Sequence, residues 1–225
     1  MKITVFNGSP RAEQSTTNII VQKFLEGAKL AGAAVDNVFL INKDINHCNG
    51  CFSCWFKTPG QCVFNDGMAE LLEKYMSSDI ICYATPVYTW NMTAALKNFV
   101  DRLIPLRRPV ATQTEEHYDM EVRTKFPDAV VIANCGFPGE NNFETIKAVF
   151  KPCNPILEIY RNSGKLLKTS NPELKAVVDE YLGYVKQSGF EIVNNNKIAD
   201  DTKLKLQMEL IHPEEYVDRM NIRLA

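Results

Sequence analysis

The opening eighteen residues restrict the fold more than any other stretch. Lys2-Ile3-Thr4-Val5-Phe6 is an apolar, β-branched run, cut short by Asn7-Gly8-Ser9-Pro10. That pattern predicts a buried strand ending in a tight loop. The loop carries Arg11 and opens into Ser15-Thr16-Thr17-Asn18, followed by Ile20, Phe24, Ala28 and Ala31 at helical spacing. Ser and Thr suit a helix start because their hydroxyl oxygen accepts a first-turn N–H. A strand, a small-residue loop with an arginine and a hydroxyl-rich helix start make an anion site. The first helical N–H groups have no internal acceptor, and the helix dipole favours negative charge there. Arg11 adds a fork that matches phosphate oxygens. The plainer alternative is a strand–helix turn whose hydroxyls only cap. The loop has no Gly-x-Gly-x-x-Gly and no Gly-Lys-Ser/Thr, so a mononucleotide is the candidate, not a dinucleotide or an ATP-type ligand.

The rest of the chain alternates strand and helix. Val35 to Leu40, Ile80 to Ala84, Ala129 to Ala133 and Ile156 to Tyr160 read as further strands. Between them, Asp66 caps a helix with the stripe Met68, Leu71, Leu72, Tyr75 and Met76, and Met92, Ala95, Leu96, Phe99, Val100 and Leu103 form another. Phe143, Ile146, Val149 and Phe150 mark a helix, and Asn171-Pro172 opens a long one that Gly189 should end. Five β–α alternations predict an α/β fold, a flavodoxin-like doubly wound five-stranded parallel sheet of order 2-1-3-4-5. Its ligand would sit where strands 1 and 3 diverge. Residues 104–126 show no period and read as a lid or binding loop. In the tail, Leu204, Leu206, Met208 and Leu210 alternate as a strand would, and Pro213-Glu214-Glu215-Tyr216 opens a short helix. The expected division is a domain over 1–190 and a C-terminal extension over 191–225. Alone, the extension's apolar stripe would be exposed, so it is expected to be an oligomer contact.

The loop after the third strand faces the first loop across that switch point. Pro86, Val87, Tyr88, Thr89, Trp90, Asn91 and Met92 put flat and apolar groups there, suited to a planar ring system. A phosphate loop opposite a ring-binding loop points to FMN. Net charge is −2 over 225 residues, which gives no reason to invoke nucleic acid. No apolar run is long enough for a membrane span. The N-terminus does not resemble a secretory signal, and four of seven cysteines crowd into one segment. That pattern suggests metal or redox chemistry in a reducing compartment, with the cytoplasm as the expected location.

Gly8-Ser9-Pro10-Arg11, Cys48-x-x-Cys51-x-x-Cys54, Thr85-Pro86-Val87-Tyr88 and Leu96-Lys97-Asn98-Phe99-Val100-Asp101-Arg102 together resemble the NADPH-dependent FMN reductase family, in its cysteine-motif branch that includes the iron–sulfur flavoproteins. The likeness runs over roughly residues 1–190. It implies bound FMN, NAD(P)H as transient electron donor, a small-molecule or redox-protein acceptor, and a homodimer or homotetramer. Carried over, Ser9, Arg11, Ser15, Thr16 and Thr17 would hold the phosphate and Pro86 to Met92 the ring. Asn134, Cys135 and Gly136 would close its third side. The flavin carries the chemistry, so no side chain is assigned as catalytic. The branch's helical C-terminal extension argues against the strand reading of Leu204 to Leu210. The alternative function is a non-enzymatic, flavodoxin-like electron carrier.

Cys48, Cys51, Cys54 and Cys62 are spaced C-x2-C-x2-C-x7-C. Four thiolates on one bent loop can converge as a [4Fe–4S] cluster or a structural zinc requires, or they can remain reduced thiols. Gly50, Pro59 and Gly60 supply bends. Cys82 reads as an inert core thiol, and Cys135, near the expected flavin, as a more reactive one.

Overall fold

The computed structural model describes residues 1–113 and 118–222. Among them the strands are β1 (Lys2–Asn7), β2 (Ala34–Phe39), β3 (Ile80–Pro86), β4 (Arg107–Gln113), β5 (Tyr118–Val122), β6 (Asp128–Asn134) and β7 (Leu157–Arg161). Five of them form one parallel sheet of order β2-β1-β3-β6-β7, and β4 pairs antiparallel with β5 as a separate hairpin. Counted by the sheet's own strands, the order is the flavodoxin-like 2-1-3-4-5. The helices are α1 (Thr16–Leu30), α2 (Ser53–Phe56), α3 (Met68–Met76), α4 (Ala94–Asp101), α5 (Glu144–Phe150), α6 (Pro172–Asn195), α7 (Asp200–Lys205) and α8 (Pro213–Ile222).

Strand side chains alternate between two cores, as the two-residue period requires. Ile3, Val5, Cys82, Ala84, Val130 and Ile132 join α1 and α6 on one face. Phe6, Ile81, Tyr83, Val131 and Ala133 join α3, α4 and α5 on the other. Both faces are covered, which is why these strands read as continuous apolar runs. On the first face α1 and α6 cross almost backbone to backbone. A Cβ on Gly27 would lie 1.7 Å from Lys186 O, and one on Gly189 would lie 1.9 Å from Phe24 O. On the second face Phe6 stacks on Phe99 with ring centroids 4.3 Å apart.

Two sequence expectations fail. Gly189 does not end its helix: α6 continues to Asn195, and the glycine is there to let α1 approach. Residues 104–126, read as a lid or binding loop, contain β4 and β5, and 114–117 between them lie outside the described residues. Most of β4 is exposed, so it shows no buried-face alternation for a sequence reading to detect. Residues 204–210 are not a strand. α7 runs to Lys205, with Asp200 and Asp201 in its first turn and Lys203 and Lys205 in its last, charges placed to suit the helix dipole. The tail's stripe is not left uncovered either. Leu206, Leu210 and Tyr216 are buried against the α1–α6 core, while Leu204 is exposed. The buried Arg161 donates to Met208 O (2.7 Å), and Tyr216 Oη donates to Gly136 O (2.7 Å), fastening the tail to the sheet's carboxyl edge.

Candidate functional site

The parallel register brings the carboxyl ends of β1, β3 and β6 side by side: Asn7 lies opposite Ala84, and Pro86 opposite Asn134. Three loops leave from these points. In the first, Ser15 caps α1 by accepting the Asn18 N–H (3.0 Å) and donates its own proton to Ala12 O (2.8 Å). Its hydroxyl is therefore committed to the cap. Thr17 Oγ1 donates to Asn134 Oδ1 (2.6 Å), and Asn134 Nδ2 donates to Thr16 Oγ1 (2.9 Å). One buried amide thus fixes both threonines, and the Thr16 hydroxyl keeps its proton to offer elsewhere. The main-chain N–H groups of Thr16 and Thr17 sit in the first turn, where no carbonyl precedes them to accept. Ser9 is buried and Arg11 exposed at the rim. Lys168 Nζ donates to Gln14 O, which brings an ammonium beside the same loop.

The second loop is stitched to the first. Thr93 Oγ1 donates to Gly8 O (2.6 Å), and Gly8 N donates to Ala84 O (2.8 Å). Gly8 has no room for a side chain: a Cβ there would lie 2.6 Å from Leu96 Cβ. Beyond it, Tyr88 and Asn91 exchange two main-chain hydrogen bonds of 2.9 and 3.1 Å around Thr89 and Trp90. Both central residues are left-handed, with φ of 49° and 59°. A two-residue turn with both centres at positive φ normally takes Asn or Gly. A β-branched threonine there is strained, at a cost on the order of 1–3 kcal/mol. The turn holds Tyr88 and Trp90 out in solvent, 50% and 62% exposed. Met92 points the other way, buried in the α3–α4 core, so it offers the crevice its main chain and not its thioether.

The third loop follows β6. Asn134 O accepts the Val87 N–H (2.8 Å), joining it to the second loop. Cys135 is buried, and its thiol donates to Phe137 O (3.1 Å). Burial pushes that thiol up to about 11, which works against the more reactive role expected of Cys135. Cys82 is fully buried and pushed higher still by burial, in keeping with an inert role.

The cysteines form a second centre beside the C-terminal end of α4. Cys48, Cys51, Cys54 and Cys62 all line one small cavity, together with Phe52, Phe64, Arg102 and Ile104. Cys54 is buried, Cys62 partly so, and Cys48 and Cys51 are exposed. Burial, then the neighbouring thiols, raise Cys54; a hydrogen bond with Ser53 lowers Cys51. Gly50 and Gly60 take positive φ, as the bends require. Among the described residues, no three Cys, His, Asp or Glu side chains close on a point as tightly as a single metal ion needs.

The stems of this loop are clamped by α4. Asn98 Nδ2 donates to Ile45 O (2.8 Å). Arg102 Nη1 donates to Asn46 O (2.6 Å) and to Asp66 Oδ2 (2.9 Å), and Nη2 donates to Asp66 Oδ1 (3.1 Å). Both charged side chains are 1% exposed. Burial alone would raise the Asp66 carboxyl. The Arg102 fork, with the N–H groups of Asn46 and Met68, overrides burial and holds it well below the ordinary 3.8. At the loop's middle, Trp55 Nε1 donates to Ile104 O (3.2 Å), and Arg123 bridges Pro105 O to Cys54 O. Sequence reasoning missed Lys168, Thr93 and Asp66 as parts of these centres, because each acts from an element distant in sequence. Asn98 and Arg102 were visible only as members of a motif with no assigned role.

Iron–sulfur flavoproteins match about half of the chain: one from Methanosarcina thermophila is 42% identical over 108 residues, 48% of this chain and 55% of that protein. Another, from Archaeoglobus fulgidus, is 37% identical over 105 residues, 47% and 46% of the two chains. The chain thus spans about half the length of the curated relatives it matches. Among solved structures, an FMN-dependent NADH-azoreductase from Bacillus anthracis in complex with FMN superposes with a TM-score of 0.63 at 17% identity, covering 86% of this chain and 99% of that one. An NAD(P)H:quinone oxidoreductase from Methanothermobacter marburgensis gives 0.62 at 14%, covering 85% and 96%. These two share the fold. The profile of the NADPH-dependent FMN reductases matches residues 1–117, more than half of the chain, and the protein belongs to that family.

Proposed function

We propose that the crevice between the β1, β3 and β6 loops binds FMN and that the protein is an NAD(P)H-dependent flavin oxidoreductase delivering electrons to a small-molecule or redox-protein acceptor. The observation that carries this reading is the pairing of unsatisfied N–H groups at Thr16 and Thr17 with two exposed rings, Tyr88 and Trp90, held up by a strained turn beside them. The residues fit the group: first-turn N–H groups, the Thr16 hydroxyl, Arg11 and Lys168 suit a phosphate, and flat side chains suit a ring. FMN, when bound, supplies a ring that accepts hydride and returns electrons singly or in pairs. The chain's own part is to bind, orient and shield it. Thr16, Thr17 and Asn134 fix the phosphate end, the Tyr88–Asn91 turn borders the ring, and the main chain of 134–136 closes the third side. Titrating apo-protein with FMN tests this. Arg11→Ala removes a charge-assisted contact of about 1.5–3 kcal/mol, so affinity should fall about tenfold or more. Unchanged affinity removes Arg11 from the site.

The four cysteines are proposed to hold a [4Fe–4S] cluster. They line one cavity without closing on one point, which suits a multi-atom group better than a single zinc ion. Iron and sulfide analysis of protein prepared without oxygen tests it. A cluster would also favour the second reading, an electron carrier, because it passes electrons one at a time. NAD(P)H-dependent reduction of the flavin at catalytic rates separates enzyme from carrier. We also propose a homodimer or homotetramer, with the exposed Leu204 of the 191–225 extension in its contact; light scattering on full-length protein and a Leu204→Glu variant tests that.

A further inference from the structure

Arg102 is the one charged side chain lining the cysteine cavity. Its guanidinium is 1% exposed and fixed on one side by Asp66 and Asn46 O. A guanidinium has five N–H donors, and these contacts use three. Nε is buried with no partner at all. An orphaned charged donor is costly, so a buried one marks an acceptor that the fold expects. The acceptor at hand is sulfur. Phe64 covers the guanidinium, with its ring centroid 5.1 Å from Cζ, and keeps water from the unused donor.

Resting on the four-thiolate cluster proposed above, we infer that Arg102, from the wall of the cysteine cavity, sets the reduction potential of that cluster. Four thiolates around an iron–sulfur core make an anion, and one-electron reduction adds another negative charge. A fixed cation in the wall of the cavity, with a donor left over, stabilises the reduced form and raises the potential. Asp66 lies behind the arginine and does not line the cavity, so its opposing field is weaker at the sulfurs. Asp66 and Asn46 fix where the fork sits, which makes the cation a constant of the site.

The test uses full-length protein prepared without oxygen, with iron and sulfide measured, and a dithionite titration of the cluster followed by its absorption and electron paramagnetic resonance. Arg102→Gln should lower the ratio of reduced to oxidised cluster at a fixed potential at least tenfold, about 59 mV for a one-electron couple. Arg102→Lys, which keeps the charge but not the fork, should recover part of that loss. Arg102→Gln combined with Asp66→Asn leaves no unpaired buried charge, so it guards against simple misfolding. It should still lie below wild type by more than threefold. If that double variant carries wild-type iron and titrates within threefold of wild type, the inference is overturned. Lost iron with an unchanged potential in what remains makes the role structural only and overturns it too. Wild-type protein without iron or sulfide would instead remove the cluster reading itself, and this inference with it.

Discussion

The crevice between the β1, β3 and β6 loops and the cysteine loop hang from opposite ends of one helix, yet they are built in contrary ways. At the N-terminal end of α4, Thr93 fastens the Gly8 loop. The crevice there is assembled from buried polar groups: Asn134 holds Thr16 and Thr17, and the three loops are hydrogen-bonded to one another and to the sheet. At the C-terminal end, Asn98 and Arg102 grip the two stems of a loop whose middle is largely exposed. The crevice is preorganised by the fold, so binding there need not order the chain. The cysteine loop is fixed at its ends and centre but leaves two of its four thiols in solvent. A bound metal group would contribute most of its order.

Ways to break this contrast can be ranked by size. The largest effect should come from Asp66→Ala, which leaves Arg102 as an unpaired buried charge. A loss of about 3–5 kcal/mol is expected, read by denaturant titration. Proteolysis should strike residues 45–66 before the crevice loops. Acid should do the same reversibly. The Asp66 carboxyl is depressed in the folded state, so its contribution is present above the ordinary value of 3.8 and is lost as pH falls below it. Hydrogen exchange should therefore quicken in 45–66 below that pH before it does so around Asn134. Asn134→Ala attacks the other region. It removes the partner of two threonine hydroxyls, at a cost of about 2–4 kcal/mol, and should weaken FMN binding while sparing the cysteine loop. Equal damage to both regions in either variant would refute their independence. Thr89→Asn should stabilise by about 0.5–1 kcal/mol, because asparagine tolerates the left-handed turn that threonine resists. A destabilised variant would mean that the Thr89 side chain has a role the turn geometry does not reveal. The smallest effect is on global stability in Cys51→Ser, within about 0.5 kcal/mol for an exposed residue, with the loosening from lost metal confined to residues 48–62. FMN affinity should be unchanged, and iron content is the quantity expected to drop.

The same contrast explains how much was legible in the sequence. The sheet and its order could be read because buried parallel strands are apolar throughout, and because Ser15 and Asn171 are strong helix starts that do accept the Asn18 and Leu174 N–H groups. The crevice residues could be read because local chemistry places them: a strand end, a turn, a cap. Local patterns were silent on contacts that join distant segments. Nothing around Asn134 announces that it holds threonines well over a hundred residues away, nor around Asp66 that it meets Arg102. Local signals also misled where tertiary packing won. Gly189 reads as a helix stop, yet it sits mid-helix because the α1 backbone lies against it. Ser15, expected on the phosphate, spends its hydroxyl on capping.

The near-contact of α1 with α6 at Gly27 and Gly189 also bears on when the molecule takes shape. α1 carries the Thr16–Thr17 turn near the very start of the chain, and the helix that covers it arrives about 160 residues later. A ribosome adding roughly 5–20 residues per second leaves α1 without that cover for on the order of ten seconds or more. During that wait Phe24 and Ala28 are apolar surface open to any partner, chaperones included. The α3–α4 face is covered from nearer segments and can close sooner. Nascent chains arrested before residue 172 should therefore protect the α3–α4 side from proteases first. The α1 side of the crevice would be covered only once α6 has left the exit tunnel.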